Sequence, residues 1–238
     1  MSKYGREDEI SYSLGAFPTY ELLLNSPQCA TRVIIHEKLV RTKEVEELLN
    51  RAESLGIPVE TANRKIENLS AKENVFIAGE FQKLYAPLQT GANHIALVNP
   101  SDMGNLGTIM RTMLGFNVVN LALIGEGADE YHPKTVRASM GAVFSLNISH
   151  FYDFEDYLSG NGCQNLYPFM LKGASSLKET DIKTPFTLIF GNEARGLPDS
   201  FLSLGQSVKI AHGDRIDSLN LPSAVAIALY ESCKAEII

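Results

Sequence analysis

The sequence predicts an α/β protein whose larger, C-terminal part is built on a mainly parallel sheet. Two patterns carry this expectation. From His94 onward, apolar runs of strand length alternate with helical stretches, the alternation of a sheet covered by helices. Ahead of it stands a smaller β-α-β pattern, and the stretch Tyr85–Asn93, with Pro, Gly and polar residues and no periodicity, separates the two. The boundaries follow as residues 1–85, a linker at 86–93 and a second domain at 94–238.

In the first part, Arg32–His36 reads as a buried strand. Glu44–Leu55 places Val45, Leu48, Leu49, Ala52 and Leu55 on one helical face with charges opposite. Gly56 stops that helix, Ile57–Val59 forms a short strand and Asn74–Phe81 another. In the second part the strands are Ile95–Val98, Val118–Ile124, Ser145–Phe151, Phe186–Phe190 and Val208–Ile210. Helices fall at Leu106–Leu114, Lys134–Phe144, Phe154–Leu158 and about Leu221–Lys234. Pro222 is tolerated in the last because it lies in the first turn.

With 238 residues and 45% apolar composition the chain can bury a sizeable core. No apolar run approaches the roughly 18–20 residues of a membrane span, and the polar start Met1–Glu9 lacks a signal-peptide hydrophobic region. Cys29, Cys163 and Cys233 lie far apart without metal-ligand spacing, which points to buried reduced thiols, a cytoplasmic setting and no metal. The net charge of −7 argues against indiscriminate binding to a polyanion. Residues 1–90 hold 11 basic and 13 acidic side chains, the remainder 10 and 15, so any nucleic-acid contact must be a local patch.

Chemistry concentrates in three segments. Asp102–Arg111 and Leu188–Leu197 each follow or end a strand-like run, and Asp217–Pro222 opens the last helix. Gly104 and Gly107 permit close backbone approach. Asn105 and Arg111 are six residues apart, about 600° around a continuous helix, so they face different ways unless Asn105 lies on the loop or two subunits share a site. Asn105 could instead cap the helix and Arg111 be a solvated charge. Gly191 and Gly196 bracket a turn. Glu193 either serves a site or caps the next helix, where its charge suits the helix dipole. Ser218 or Asn220 suits an N-cap. His212 reads as a polar loop residue. Gly125 and Gly127 lack the third glycine of a dinucleotide loop, the position being held by Glu130, and no Gly-x-x-x-x-Gly-Lys-Ser/Thr phosphate loop occurs. A nucleotide-dependent oxidoreductase is therefore disfavoured.

In this order the three segments resemble the motifs of the SpoU family of RNA ribose 2′-O-methyltransferases. Arg137–Ala142 adds a softer match, and Met103 and Ala211 stand where proline is frequent in the family. The resemblance implies a catalytic domain with a deep trefoil knot, preceded by a ribosomal-protein-like substrate-binding domain. It implies S-adenosylmethionine as cofactor, RNA as partner with ribosomal RNA expected and transfer RNA the alternative, and a homodimer through the C-terminal domain. A non-catalytic RNA-binding protein of the same fold is the rival. By resemblance, Asn105, Arg111, Glu193, Ser218 and Asn220 form the catalytic set. Leu188, Phe190, Gly191, Asn192, Gly196, Ile210, Ala211, Ser218, Leu219 and Asn220 surround the cofactor.

Overall fold

The structure, a computed structural model, describes residues 4–69, 74–161 and 165–234. Cys163 lies outside them. In chain order the first elements are β1 (Ile10–Leu14), α1 (Ala16–Asn25), β2 (Ala30–Ile35), α2 (Lys43–Ser54), β3 (Val59–Thr61), α3 (Asn63–Leu69) and β4 (Ile77–Gln82). Then come β5 (His94–Val98), α4 (Met103–Gly115), β6 (Asn120–Ile124), α5 (Pro133–Ala138), β7 (Asn147–Phe151) and α6 (Phe154–Asn161). The chain continues through β8 (Asn165–Pro168), β9 (Ser175–Ser176), β10 (Phe186–Phe190), β11 (Val208–Lys209) and α7 (Leu221–Cys233). It divides into two compact units: Met1–Leu84 with Asp129–Ser145, and Tyr85–Ala128 with Leu146–Ile238.

The first unit holds a sheet of order β1-β4-β2-β3, in which β4 runs antiparallel to both neighbours and β3 parallel to β2. Apolar residues at alternate positions point to opposite faces. Val33 and Ile77 pack with Leu48, Leu49 and Ala52 of α2, whereas Ile34 and Ala78 pack with Leu14 and Ile66. Thr42 caps α2 by accepting from the Val45 N–H at 3.4 Å. The sequence reading missed β1 and α1 because the inward positions Ser11 and Ser13 of β1 are polar yet fully buried. Ser11 Oγ donates to the Tyr131 carbonyl, and Ser13 Oγ pairs with Thr19 Oγ1 at 3.0 Å.

Residues 129–145 complete this unit. Ser26 Oγ donates to the Phe144 carbonyl at 2.8 Å, and Phe144 meets Phe81 edge-on. The single helix expected over Lys134–Phe144 ends at Ala138, because Met140 and Gly141 have positive φ (52° and 82°); a 3₁₀ turn follows at Ala142–Ser145. A Cβ on Gly141 would lie 2.5 Å from that of Glu21. Close approach thus accounts for the small residue.

The second unit is built on an all-parallel sheet of order β7-β6-β5-β10-β8, with β11 and β9 as a separate parallel pair. β5, β6 and β10 are buried at every residue, as strands covered on both faces must be. One face packs on Phe154, Tyr157 and Phe201. α4 and α7, which touch each other, bury Ile109, Met110, Val225 and Leu229. From β5 the chain builds outward through β6 to β7, then crosses to the other side for β8 and β10. The order therefore reverses between β5 and β10, and loops leaving the carboxyl ends of two such strands diverge to leave a crevice.

Candidate active site

The loops at this reversal are locked together. Asn99, just past β5, adopts a left-handed φ of 51°; its carbonyl accepts from the Asn192 side chain at 2.8 Å and its Oδ1 from the Glu126 N–H at 3.1 Å. Asp102 caps α4, accepting from the Asn105 N–H at 2.8 Å. Asn105 is therefore not the cap but a residue of the first turn. Its side-chain amide donates to Glu193 Oε1 at 3.2 Å.

Glu193 is the centre of the arrangement. Its carboxylate also accepts from the Ser101 N–H (3.0 Å), the Ser101 hydroxyl (2.7 Å) and the Asp102 N–H (3.1 Å). Partial burial pushes the carboxyl pKa up, but the Ser101 hydroxyl and these backbone N–H groups outweigh it and hold the group at about 2. The sequence placed Glu193 at the start of its own helix. The structure instead has a turn there, and the carboxylate occupies the N-terminal end of α4, where unpaired N–H groups favour an anion.

After β10 the turn is tight. The Asn192 side chain accepts from the Ala194 and Arg195 N–H groups at 3.0 and 3.2 Å, and the Gly196 N–H donates to the Asn192 carbonyl at 2.8 Å. Gly196 has φ 66°. A Cβ on Gly191 would fall 2.1 Å from the Gly196 carbonyl carbon. The glycines are thus required by this crossing of backbone.

Beside this turn opens a cavity of about 330 Å³. Phe169 stacks on Phe190 at 4.7 Å along one wall. Of the expected cofactor residues, Phe190, Gly191, Asn192, Gly196, Ile210, Ser218 and Leu219 line it, together with Glu193. Leu188, Ala211 and Asn220 do not: Leu188 is fully buried in the sheet, and Asn220 stands at the N-cap position of α7 without a side-chain capping bond. Arg111 is exposed on α4, pairs with none of the described residues and is not part of the lining. Sequence reasoning missed Phe169, Leu171 and Lys172, which follow the four-residue β8. It also missed Ser101, which holds Glu193 through both its hydroxyl and its backbone N–H. His212 lines the cavity, with its ring against the Gly213 carbonyl at 3.1 Å, as a loop residue.

The cavity suits a nucleoside-sized ligand: aromatic on one wall, backbone-lined at Gly191 and Gly196, and within the size range of small-molecule sites. No helix among the described residues is long and apolar enough to cross a membrane.

Fold and site together define an α/β ligand-binding protein whose cavity is made by loops at the carboxyl ends of a parallel sheet. The chain belongs to the SpoU rRNA Methylase family, whose model matches residues 92–230. A second model, described as RNA 2′-O ribose methyltransferase substrate binding, matches residues 14–75. An uncharacterised tRNA/rRNA methyltransferase of Synechocystis is 31% identical over 58% of this chain and 52% of its own. The 23S rRNA (uridine(2479)-2′-O)-methyltransferase of Streptomyces viridochromogenes is 29% identical over 58% of this chain and 51% of its own. The chain thus matches about half the length of these two relatives. The AdoMet-bound rRNA methyltransferase of Sinorhizobium meliloti superposes with a TM-score of 0.79 at 26% identity, covering 97% of this chain and 89% of that one.

Proposed function

We propose that this protein transfers a methyl group from S-adenosylmethionine to a ribose 2′-hydroxyl of RNA. The observation that carries the reading is the convergence of Phe190–Gly196, Ser218 and Leu219 on one cavity, with Glu193 tying it to Asn105. Family membership supports it. The sulfonium, when bound, supplies an already activated methyl group. The O2′–C bond forms as the C–S bond breaks, sulfur keeps the electron pair, and the hydroxyl proton leaves. What the chain must do is align oxygen, carbon and sulfur.

Gly191 and Gly196 let the backbone approach the adenosine, with Phe169 and Phe190 as an apolar wall. Glu193 holds Asn105 and the Ser101–Asp102 backbone, so that Asn105 and Ser218 orient the ribose, with Asn220 shaping the loop before α7. Arg111 binds the substrate phosphate. A guanidinium, with a pKa above about 12, is a reluctant base, so the proton passes to a phosphate or solvent. Since Arg111 lies away from the cavity of its own chain, we assign it to the site of a second copy in a homodimer. The exposed Ile227 and Tyr230 of α7 give such a contact apolar surface. The trefoil knot and a cytoplasmic place of action belong to the same reading.

Ribosomal RNA is the preferred target, since the Streptomyces relative bears that name. Transfer RNA is the alternative, because the name of the Synechocystis relative spans both. The deciding experiment incubates the purified protein with unmodified total RNA and labelled S-adenosylmethionine, then maps the nucleotide that gains a 2′-O-methyl group. Calorimetry showing no binding of S-adenosylmethionine would revive the non-catalytic RNA-binding protein.

A further inference from the structure

The first unit carries a built charged groove that the methyl-transfer site does not use. Strand register puts Tyr12 of β1 and Arg32 of β2 directly opposite Glu80 of β4, one pleat beyond the apolar row Leu14, Ala78 and Ile34. The same sheet face therefore passes from core to charge within one repeat. Arg32 donates to Glu80 through Nε at 2.9 Å and Nη2 at 3.0 Å, and to Glu60 through Nη1 at 2.6 Å. From α3, Lys65 Nζ donates to Glu80 at 2.6 Å and sits 5.0 Å above the Tyr12 ring. The Glu80 side chain is only 8% exposed, whereas those of Lys65 and Arg32 are 23% and 30% exposed. Arg64 adds an exposed cation that pairs with none of the described residues. Tyr12, Arg32, Glu60, Arg64 and Lys65 line an opening of about 770 Å³.

A buried carboxylate is an expensive way to hold a sheet together, since burial penalises its charge. What it achieves here is fixed orientation. Two Glu80 oxygens grip the guanidinium edge-on through Nε and Nη2 and hold the Lys65 ammonium beside it, while Glu60 takes Nη1; two of the five guanidinium N–H groups are left over from these carboxylates. Arg32, Lys65 and Arg64 outnumber Glu60 and Glu80 by three to two, so the groove is positive on a chain whose total charge is −7.

We propose that this groove binds the phosphodiester backbone of RNA, with Arg64 and the two remaining N–H groups of the partly exposed Arg32 on phosphate and Asn63 and Asn68, which also line it, for sugar hydroxyls. The inference rests on the RNA reading above. A guanidinium fork fixed in advance matches phosphate geometry and loses little freedom on binding.

The test measures binding of a short fluorescent oligouridylate by anisotropy across a salt series. Each phosphate contact on a single strand contributes a log–log salt slope of about −0.7. Arg64→Ala should weaken binding roughly 3–10-fold and flatten the slope by about that amount. Arg32→Lys, which keeps charge but removes the fork, should weaken binding with the slope unchanged. Lys43→Ala, at an 86% exposed position outside the groove, should change binding far less than Arg64→Ala. Wild-type affinity in Arg64→Ala and Arg32→Lys, or an equal loss in Lys43→Ala, would overturn the proposal. Calorimetry with S-adenosylmethionine and methyl transfer to unmodified total RNA run alongside. Transfer that proceeds while the groove variants bind normally overturns the groove alone. Absent cofactor binding with the expected salt slopes overturns the enzyme reading and leaves the groove.

Discussion

The Glu193 carboxylate accepts a hydrogen bond from the Asn105 amide at 3.2 Å across 88 residues of sequence. That bond, with those from Ser101 and Asp102, fastens the loop after β10 to the start of α4. Glu193→Gln would turn an amide N–H₂ toward groups that are themselves donors. We expect a loss of about 1.5 kcal/mol in stability, the low end for hydrogen bonds to a charged group because this one is partly exposed. Weaker binding of S-adenosylmethionine should accompany it. Urea unfolding and calorimetry on the same preparations check both; unchanged values in each would remove Glu193 from this role.

Acid should loosen the protein through the same group. Glu193 and Glu80 are both held at about 2, below the ordinary carboxylate value of 4.5. A carboxyl with a depressed folded-state pKa contributes stability that is fully present above 4.5 and lost as pH falls toward 2. Unfolding free energy should therefore drop as pH falls from about 4.5 to 2, and Glu193→Gln should show a shallower fall. Parallel curves for variant and wild type across that window would contradict it.

Arg111 separates chemistry from stability. Because it is exposed and unpaired among the described residues, Arg111→Ala should leave the melting temperature and S-adenosylmethionine affinity near wild type while methyl transfer to RNA falls at least roughly 100-fold, the scale of a lost transition-state contact. Arg111→Lys should retain part of the activity with no new rise with pH. Activity in that variant that climbs as lysine deprotonates would make residue 111 the base and not the phosphate holder.

Gly191 tests the cavity. A methyl group there would meet the Gly196 backbone at 2.1 Å, and backbone cannot yield as a flexible side chain does. Gly191→Ala should reduce S-adenosylmethionine affinity at least about tenfold while far-ultraviolet circular dichroism keeps its α/β signature. Unaltered affinity would show that the turn does not form the ligand wall.

Much of this was legible in the residues because it is local. Phe186–Phe190 reads as a strand and is one to the residue, since a mostly apolar run flanked by Pro185 and Gly191 leaves few choices. The terminal helix and α2 were found within a residue or two at each end. By contrast, β1 hid behind buried serines whose hydrogen-bond partners lie in part more than a hundred residues away. β8 was too short to show a pattern, and with it went Phe169 and Lys172 of the cavity. Asp102, not Asn105, turned out to cap α4; both residue types suit a cap, so only the backbone could choose between them.

By itself, the sequence determined the alternation of strands and helices, the glycines that tight turns require and the three polar segments, because propensity, period and turn chemistry act over a few residues. Tertiary structure decided the sheet order and its reversal between β5 and β10. It also decided that Glu193 serves the end of α4 and not a helix of its own, and that Glu80 gathers Arg32 and Lys65 into one groove. Those are choices among partners distant in sequence. They are settled by which unpaired N–H, which cation and which apolar face folding brings within a few ångströms.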